Sequence, residues 1–444
     1  MTAHDLRNLA FLWTFLAAAA ARAGDWPQWR GPHLDGSSDE TNLPERFSRT
    51  ENLAWRASLP GTSGATPIVL GERIFVSSVA AGGRDLVGLC LRLSDGRVLW
   101  RKRLGRAGPR VPRSDHASPS PVADGRRVVF TYGTGEIVAV DLDGKELWRR
   151  HLTKEYGCLA IMFGFSSSPL LYEGRLFVPV LRREKPYPYN LGAKLPRTGE
   201  LDSLLLGIDP ATGKTLFRHV RQTDAVDESR EAYTTPMPCE ASGRKAVVVN
   251  GGTYVTAHDP ASGRELWRWR YDIPRRPTQQ RVIPSVVVGE GLIFAPQARG
   301  EATIALKPGG SGRLPRDSGV WRFGEMTCDA STQLVYRGRL YALDGDEKVI
   351  TCLRPQTGKV VWQERIGGTG PYRASPTGAD GKIYCFSEGG DVVVLAAGDR
   401  FRELSRLSLK SRPCRSSIVA AGGGLLIRTA DELLCLRRRA AGGE

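Results

Sequence analysis

The fold of this chain is decided by the stretch DPASGRELW at residues 259–267, because the chain repeats it. Clear copies are DLDGKELW at residues 141–148 and RPQTGKVVW at residues 354–362. Weaker copies are LSDGRVLW at residues 93–100 and DPATGKTLF at residues 209–217. Recurrence of one phrase at intervals of this size is typical of modules that stack side by side.

Each copy of the phrase reads as a tight turn between two short apolar strands. Asp, Pro, Ser, Thr and Gly suit hairpin turns, and the strand after the turn ends in an aromatic residue. Upstream, a Ser/Thr-Pro step such as Thr66-Pro67 precedes two further apolar runs separated by a Gly turn. Four short strands per module indicate a propeller blade. The aromatic residues that end the modules are Trp55, Trp100, Trp148, Phe217, Trp267, Trp321 and Trp362.

The number of blades follows from the two ends of the repeat region. The strand of Trp55 has no three strands before it, whereas residues 416–437 supply three strands without a closing aromatic. A degenerate copy lies near residues 401–407. We therefore predict one all-β domain, an eight-bladed β-propeller of four-stranded blades, closed by pairing the N-terminal strand with the last blade. Such closure removes exposed sheet edges.

The chain divides into four predicted segments. Residues 1–23 resemble a signal peptide, because the apolar run at residues 9–21 leads to an Ala-Arg-Ala cleavage signal and is short for a transmembrane helix. Residues 24–50 form an N-terminal aromatic arm, residues 51–437 form the propeller, and residues 438–444 form a C-terminal tail. The sequence thus predicts export to the periplasm or cell envelope, with no transmembrane segment and no Cys at the cleavage point for a lipid anchor.

The chain carries a formal net charge of +16 at pH 7. An excess of this size suits an anionic partner such as an envelope polymer or an acidic protein. A basic composition spread over a large surface explains the charge better, because the basic residues are scattered rather than clustered. No nucleic-acid module is readable, so we expect a protein or envelope polymer as the partner and no nucleic acid.

The eight cysteines of an exported chain could form a disulfide framework. The repeat argues against it, because Cys90, Cys352 and Cys435 occupy a position where other modules carry residues such as Ala139 and Gly207. A free Cys is a small apolar side chain that suits such a buried position. We expect few or no disulfide bonds.

The Asp-x-x-Thr-Gly-x-x-x-Trp phrase resembles the repeat of the quinoprotein-like propellers, the PQQ-binding-like β-propeller family. The resemblance covers nearly the whole region of residues 51–437. It implies that the aromatic residue of each module docks between adjacent blades and stabilises the ring, as a tryptophan-docking motif. The opening DWPQWRGP at residues 25–32 is also similar to the lead-in of exported members of this family.

Members of this family differ in function, so the resemblance leaves two classes open. Some are dehydrogenases that use PQQ and calcium, and others, such as the BamB propellers, are binding scaffolds. This chain has no adjacent Cys pair and no clear Glu, Asn and Asp set for calcium, and it lacks the lipid-anchor Cys of BamB. We therefore expect no metal and no cofactor, with PQQ and calcium as the alternative.

Candidate ligand-binding residues lie where the innermost strand of each blade begins, at one mouth of the central channel. The residues before these strands predict an electropositive mouth, poor in acids, which suits a carboxylate, a phosphate or a sugar. The same groups could instead satisfy backbone carbonyls and channel water. The candidates are His116, Tyr233, Arg281, Arg373 and Arg415.

A long insertion precedes Phe217 and is rich in Pro, Tyr and basic residues. Long loops in compact domains are often functional, so we predict an interaction loop, although a surface hairpin would explain the same residues. The apolar segment at residues 156–165 is expected to fold over the channel mouth or to pack beneath it. The candidate loop residues are Arg182, Arg183, Tyr187 and Tyr189.

Together these features favour an exported, non-enzymatic binding scaffold that takes a protein or an anionic ligand at the channel mouth. A PQQ-dependent dehydrogenase is the first alternative, in which Arg281, Arg373 and Arg415 would bind the carboxylates of the quinone. A carbohydrate-binding or carbohydrate-hydrolysing propeller is the second, and hydrolysis would need paired carboxylates in the channel. No catalytic residue is assigned.

Overall fold

Eight antiparallel sheets make up the protein in a computed structural model that describes residues 24–80, 82–187, 201–271 and 277–438. Each sheet is one blade, and innermost strands of successive blades contact each other around a central channel. The prediction of an all-β, eight-bladed propeller with four-stranded blades is therefore confirmed. The predicted signal peptide, residues 1–23, lies outside the described residues.

The strands follow the chain from the innermost to the outermost position of each blade, except in the blade that closes the ring. The first strand is β1 (Leu53–Ser58). Blade 1 contains β2 (Ile68–Leu70), β3 (Arg73–Val79), β4 (Asp85–Arg92) and β5 (Val98–Arg106), and blade 2 contains β6 (Val122–Ala123), β7 (Arg127–Thr131), β8 (Glu136–Asp141) and β9 (Glu146–His151). Blade 3 contains β10 (Leu170–Tyr172), β11 (Arg175–Val180), β12 (Leu204–Ile208) and β13 (Thr215–Val220). Blade 4 contains β14 (Met237–Ala241), β15 (Arg244–Gly251), β16 (Tyr254–His258) and β17 (Glu265–Arg270).

The second half of the ring repeats this arrangement. Blade 5 contains β18 (Val287–Gly289), β19 (Leu292–Pro296), β20 (Thr303–Leu306) and β22 (Gly319–Phe323), and blade 6 contains β23 (Leu334–Tyr336), β24 (Arg339–Asp344), β25 (Val349–Leu353) and β26 (Val360–Arg365). Blade 7 contains β27 (Thr377–Ala379), β28 (Lys382–Phe386), β29 (Asp391–Ala396) and β30 (Glu403–Ser408). Blade 8 contains β31 (Val419–Ala421), β32 (Gly424–Arg428) and β33 (Glu432–Leu436), and β1 completes it.

Helical structure is sparse among the described residues. The one α-helix, α1, spans Leu152–Tyr156, and three short 3-10 helices span Asp227–Arg230, Ala298–Gly300 and Arg316–Ser318. None of the described helices has the length and hydropathy needed to cross a membrane.

The ring closes through β1, which pairs antiparallel with β33 as the fourth strand of blade 8. Trp55 lies opposite Cys435, and Ser58 lies opposite Glu432. The predicted closure by the N-terminal strand is therefore confirmed.

In seven blades the closing aromatic residue lies opposite a small residue of the third strand. Ala139 faces Trp148. In three other blades a cysteine takes the place of this alanine. All eight cysteines are buried, and none is paired in a disulfide bond in this structure. The three cysteine pairs are Cys90–Trp100, Cys352–Trp362 and Cys435–Trp55.

Six of these seven aromatic rings also contact a turn of the next blade. The indole of Trp148 lies over Gly213 in the turn of blade 3, and its Nε1 donates to the carbonyl of Pro210 at 2.9 Å. Gly213 has a φ of +73°, and a Cβ there would meet the indole at 2.7 Å, so both the conformation and the ring require glycine. The other ring-over-glycine pairs are Trp55–Gly96, Trp100–Gly144, Phe217–Gly263 and Trp321–Gly358.

One seam of the ring departs from this scheme. The connection from β20 to β22 in blade 5 adds a fifth strand to blade 4, β21 (Gly312–Arg313), which pairs parallel with β17 at Trp267 and Arg268. Leu266, next to the aromatic, is thereby covered and only 7% exposed, whereas Leu147 at the same place in blade 2 is 45% exposed.

The N-terminal arm crosses the channel. The backbone of Trp26 bonds to the innermost strand of blade 1, and the side chain of Gln28 bonds to that of blade 3 at 3.0 and 3.3 Å. Arg30 instead donates to the carbonyl of Pro376, just before the innermost strand of blade 7, at 3.1 Å. Because blades 3 and 7 stand on opposite sides of the ring, Trp29 lies in the channel between them.

Candidate ligand-binding site

A cavity of about 530 Å³ occupies the end of the channel at which the innermost strands begin. One hydroxyl residue from every blade lines it, and each stands two residues before the first residue of its innermost strand. We call these eight residues the hydroxyl belt. They are Thr66, Ser120, Ser168, Thr235, Ser285, Thr332, Ser375 and Ser417.

Hydrogen bonds connect the belt from blade to blade. The backbone N–H of every member except Ser375 donates to the hydroxyl oxygen of the next, as from Thr66 to Ser120 at 2.9 Å and from Thr235 to Ser285 at 2.8 Å. Seven such bonds of 2.8 to 3.3 Å run around the ring, including Ser417 back to Thr66. Ser417 is the one member whose hydroxyl accepts no bond from a neighbour within the described ranges. These bonds therefore hold seven of the eight hydroxyl groups in place around one space.

A second ring of residues lies two positions upstream of the belt. Alternate residues of an extended chain point the same way, so these side chains also line the cavity. Unlike the belt, this upper ring is chemically uneven, with apolar or small groups in blades 4 to 6 and guanidiniums in blades 7 and 8. Its members are Gly64, Ser118, Ser166, Tyr233, Ile283, Ala330, Arg373 and Arg415.

Aromatic side chains complete the wall and the floor. Phe163 stacks on Tyr233 with 6.3 Å between ring centroids. Two guanidiniums approach the Phe163 ring, that of Arg113 at 5.7 Å and that of Arg281 at 5.2 Å, within the range of cation–π attraction. Trp29 of the arm lines the same cavity. The site is thus a cup with aromatic, guanidinium and hydroxyl surfaces.

Buried polar groups hold Phe163 in the wall. The fully buried carboxyl of Glu231 accepts the backbone N–H of Met162 at 2.8 Å and is bonded by the hydroxyl of Tyr187. The backbone N–H of Phe163 donates to the hydroxyl of Tyr233 at 3.1 Å. The expectation that residues 156–165 fold at the mouth agrees with this position of Phe163.

The beginning of the insertion is structural rather than exposed. Arg182 is only 3% exposed, and its guanidinium donates to backbone carbonyls that include those of Tyr156 and Cys158. Tyr187 is also buried. These two residues of the predicted interaction loop are therefore anchored beneath the cup wall rather than exposed. Arg183 stacks on Tyr187 and pairs with Asp227 at 2.6 Å; Tyr189 lies outside the described residues.

Four of the five predicted mouth residues line the cavity, and His116 does not. The Nε2 of His116 instead lies 2.8 Å from the carbonyl oxygen of Pro109. Tyr233 faces the cavity with its ring, because its hydroxyl is directed to Phe163 and Glu231. Burial raises the pKa of Tyr233 well above its usual value, so it stays protonated.

The mouth is less electropositive than predicted. Each of the three predicted arginines forms an ion pair with a carboxylate from a loop elsewhere in the chain, which the sequence around the innermost strands could not reveal. The lining still holds four arginines against two acids, Asp329 and Glu388. Among the described residues Arg113 has no carboxylate partner. The pairs are Arg281–Glu228 at 2.9 Å, Arg373–Asp346 at 2.6 Å and Arg415–Glu388 at 2.6 Å.

The described mouth residues do not fit a calcium-bound quinone. Calcium takes six to eight oxygen ligands, whereas the carboxylates here come from separate blades and are engaged by arginines. Across the described ranges, the one compact group of three metal-ligating side chains is His219, His258 and Glu265, on the outer strands between blades 3 and 4. Glu265 there is held by Arg268 at 2.5 and 2.7 Å.

Sequence reasoning missed Phe163, Arg113, Trp29 and the belt as a unit. A signal for the belt was present, because Ser or Thr precedes each innermost strand at one fixed place in every module. Phe163 and Arg113 lie in links between blades, where the repeat does not predict the position of individual residues.

Comparisons with known proteins agree with this architecture. The chain is 22% identical over 393 residues to the outer membrane protein assembly factor BamB of Bordetella pertussis, covering 82% of this chain and 94% of that protein. It is 25% identical over 170 residues to a polyvinylalcohol dehydrogenase of a Pseudomonas species, but covers 24% of that protein and 37% of this chain. A europium-containing methanol dehydrogenase shares the fold with a TM-score of 0.67 at 10% identity, covering 94% of this chain and 98% of that structure.

The family described as outer membrane protein assembly factor BamB matches residues 47–179, 91–316 and 314–442. These ranges include every blade and the strand that closes the ring. The chain therefore belongs to the BamB family of PQQ-like repeat propellers.

Proposed function

We propose that this protein is an exported, non-enzymatic binding propeller of the cell envelope, which holds a protein segment or an anionic ligand in the cup. The cup carries the proposal, because all eight blades contribute two residues each to one cavity that the arm crosses. Three of the carboxylates beside it, Glu228, Asp346 and Glu388, are engaged by arginines, which leaves them poorly placed for general acid–base chemistry. The match along 94% of BamB, against 24% of the dehydrogenase, supports a binding role.

The first test asks whether the cup meets its ligand in cells. A photoreactive amino acid at Ser114, which lines the cup, should crosslink to a bound partner or ligand. The same amino acid at Arg126, on an exposed turn of blade 2, is the matched control and should not. Crosslinking from Arg126 alone, or from neither position, would contradict a binding role for the cup.

The second test addresses the dehydrogenase alternative. The purified protein is heated with and without PQQ plus calcium, and alcohol oxidation is followed with an artificial electron acceptor. A ligand at about a hundred times its dissociation constant stabilises by roughly 2.7 kcal/mol, which is readily seen in a melting curve. We expect no shift and no oxidation; a raised melting temperature together with turnover would refute the non-enzymatic proposal.

A further inference from the structure

We propose that the hydroxyl belt is a binding site for the oxyanion of a small organic molecule, a carboxylate or a phosphate. This inference rests on the proposed function and names the ligand chemistry of the same cup. It follows from how each belt hydroxyl is bonded, from the charge around the belt and from the asymmetry of the upper ring.

The belt hydroxyls have their protons free. Seven of them accept a backbone N–H of a neighbouring blade, and none donates to another described residue. An accepted hydrogen bond polarises the O–H group and makes it a better donor. All eight line the cavity yet are at most 7% exposed, so their hydroxyl groups face a narrow space. A ring of converging O–H donors stabilises negative charge in the way an oxyanion hole does.

The guanidiniums around the cup offer N–H donors to an anion. Four arginines line the cavity, and three of them, Arg281, Arg373 and Arg415, are held in place by carboxylates. A guanidinium has five N–H donors, and Arg373 spends two of them on Asp346. Its ion pair therefore fixes the guanidinium beside the cup while leaving donors for a ligand, and Arg415 is held in the same way by Glu388.

The upper ring indicates that the ligand also has an apolar or ring-shaped body. Tyr233, Ile283 and Phe163 form one side of the cup, and Arg373 and Arg415 form the other. A volume of about 530 Å³ exceeds what an inorganic anion needs and lies in the range of small-molecule sites. An organic anion can place its oxygens against the belt and guanidiniums and its body against the aromatic rings.

Isothermal titration calorimetry of the full protein with three matched probes tests this inference. Phenyl phosphate and benzoate carry the same ring with a phosphate or a carboxylate, and benzyl alcohol is the neutral control. We expect at least one anion to bind about tenfold or more tightly than benzyl alcohol, and the tighter anion identifies the oxyanion source. Benzyl alcohol binding equally well, or no binding of either anion, would overturn the inference.

A variant pair locates the binding on the belt. Ser417→Ala removes the belt hydroxyl that accepts no neighbour's N–H, so it spares the bonds between blades. Ser416→Ala removes an adjacent buried hydroxyl, bonded to a carbonyl, that does not line the cavity. We expect Ser417→Ala to bind the anion roughly tenfold more weakly, as for loss of a hydrogen bond to a charged group. Ser416→Ala should bind the anion as tightly as the unaltered protein. Equal affinities would overturn the assignment to the belt.

A third variant keeps the anion site testable if Ser417→Ala does not fold. Arg113 is exposed and lines the cup, whereas the exposed Arg110 does not. Arg113→Ala should weaken anion binding severalfold and reduce its salt dependence, and Arg110→Ala should not; equal binding by both would count against an anion site. If crosslinking from Ser114 succeeds while no anion binds, this inference fails and the proposed function stands. If both fail, the cup is not a binding site.

Discussion

Glu231 links two parts of the molecule at the scale of a single residue. Its carboxyl bonds the backbone of Met162 in the cup wall and the hydroxyl of Tyr187 at the start of the insertion. Burial raises the pKa of Glu231 to about 7, above an ordinary value of 4.5. The folded protein therefore keeps a proton that the unfolded chain releases between these two pH values.

This retained proton predicts a pH dependence of stability. Because the pKa of this carboxyl is higher in the folded protein, its contribution to the free energy of unfolding is fully present below pH 4.5. The contribution is lost as the pH rises through about 7. The loss from this one group is on the order of 3 kcal/mol. Glu231→Gln cannot titrate and should remove this component, which urea unfolding of both proteins at pH 5 and pH 7.5 measures. An identical pH dependence in the variant would refute the assignment.

At the scale of elements, blades are joined by the aromatic of one strand and the turn glycine of the next blade. Trp148 makes this junction between blades 2 and 3 through its ring and its Nε1. Leu147, its neighbour on the same strand, is 45% exposed. The two residues therefore separate the effect of the junction from that of an apolar side chain on β9.

Replacing the ring should destabilise the propeller far more than replacing its neighbour. Trp148→Ala leaves a gap over Gly213 and removes a hydrogen bond, which should cost about 3 kcal/mol. Leu147→Ala should change the free energy of unfolding by no more than about 0.5 kcal/mol. Chemical denaturation of the two variants measures both values. Equal and small losses would show that the ring contributes little between the blades.

The elements also show what sequence can and cannot predict. Blades were predictable because their turn chemistry and apolar runs are local, as at residues 141–148. β21 was not, since Gly312–Arg313 has no apolar pattern and becomes a strand only against β17. Arg373 was predictable as a mouth residue from its place before an innermost strand. Its partner Asp346 was not, because a turn of another hairpin brings it there.

The whole molecule depends on contacts between its two ends. Blade 8 takes three strands from residues 419–436 and its fourth from residues 53–58. Contacts this distant in sequence form only after a large loss of chain entropy, so they are expected late in folding. We therefore expect the ring to unfold as one cooperative unit rather than as eight independent blades.

Truncation tests this cooperativity. Removing residues 417–444 deletes β31 to β33 and leaves β1 without a partner, so we expect no cooperative thermal transition. A chain ending at Arg438 retains every blade and should melt like the full protein. Circular dichroism during heating distinguishes them, and a cooperative transition at the wild-type temperature in the shorter chain would disprove the expectation.

The crossing of the channel by the arm has a consequence for traffic through the protein. Trp29 lies in the path between blades 3 and 7, so the arm narrows the channel at the floor of the cup. We therefore expect a ligand of the proposed site to enter and leave by the mouth alone. One bound molecule would then exclude another until it dissociates.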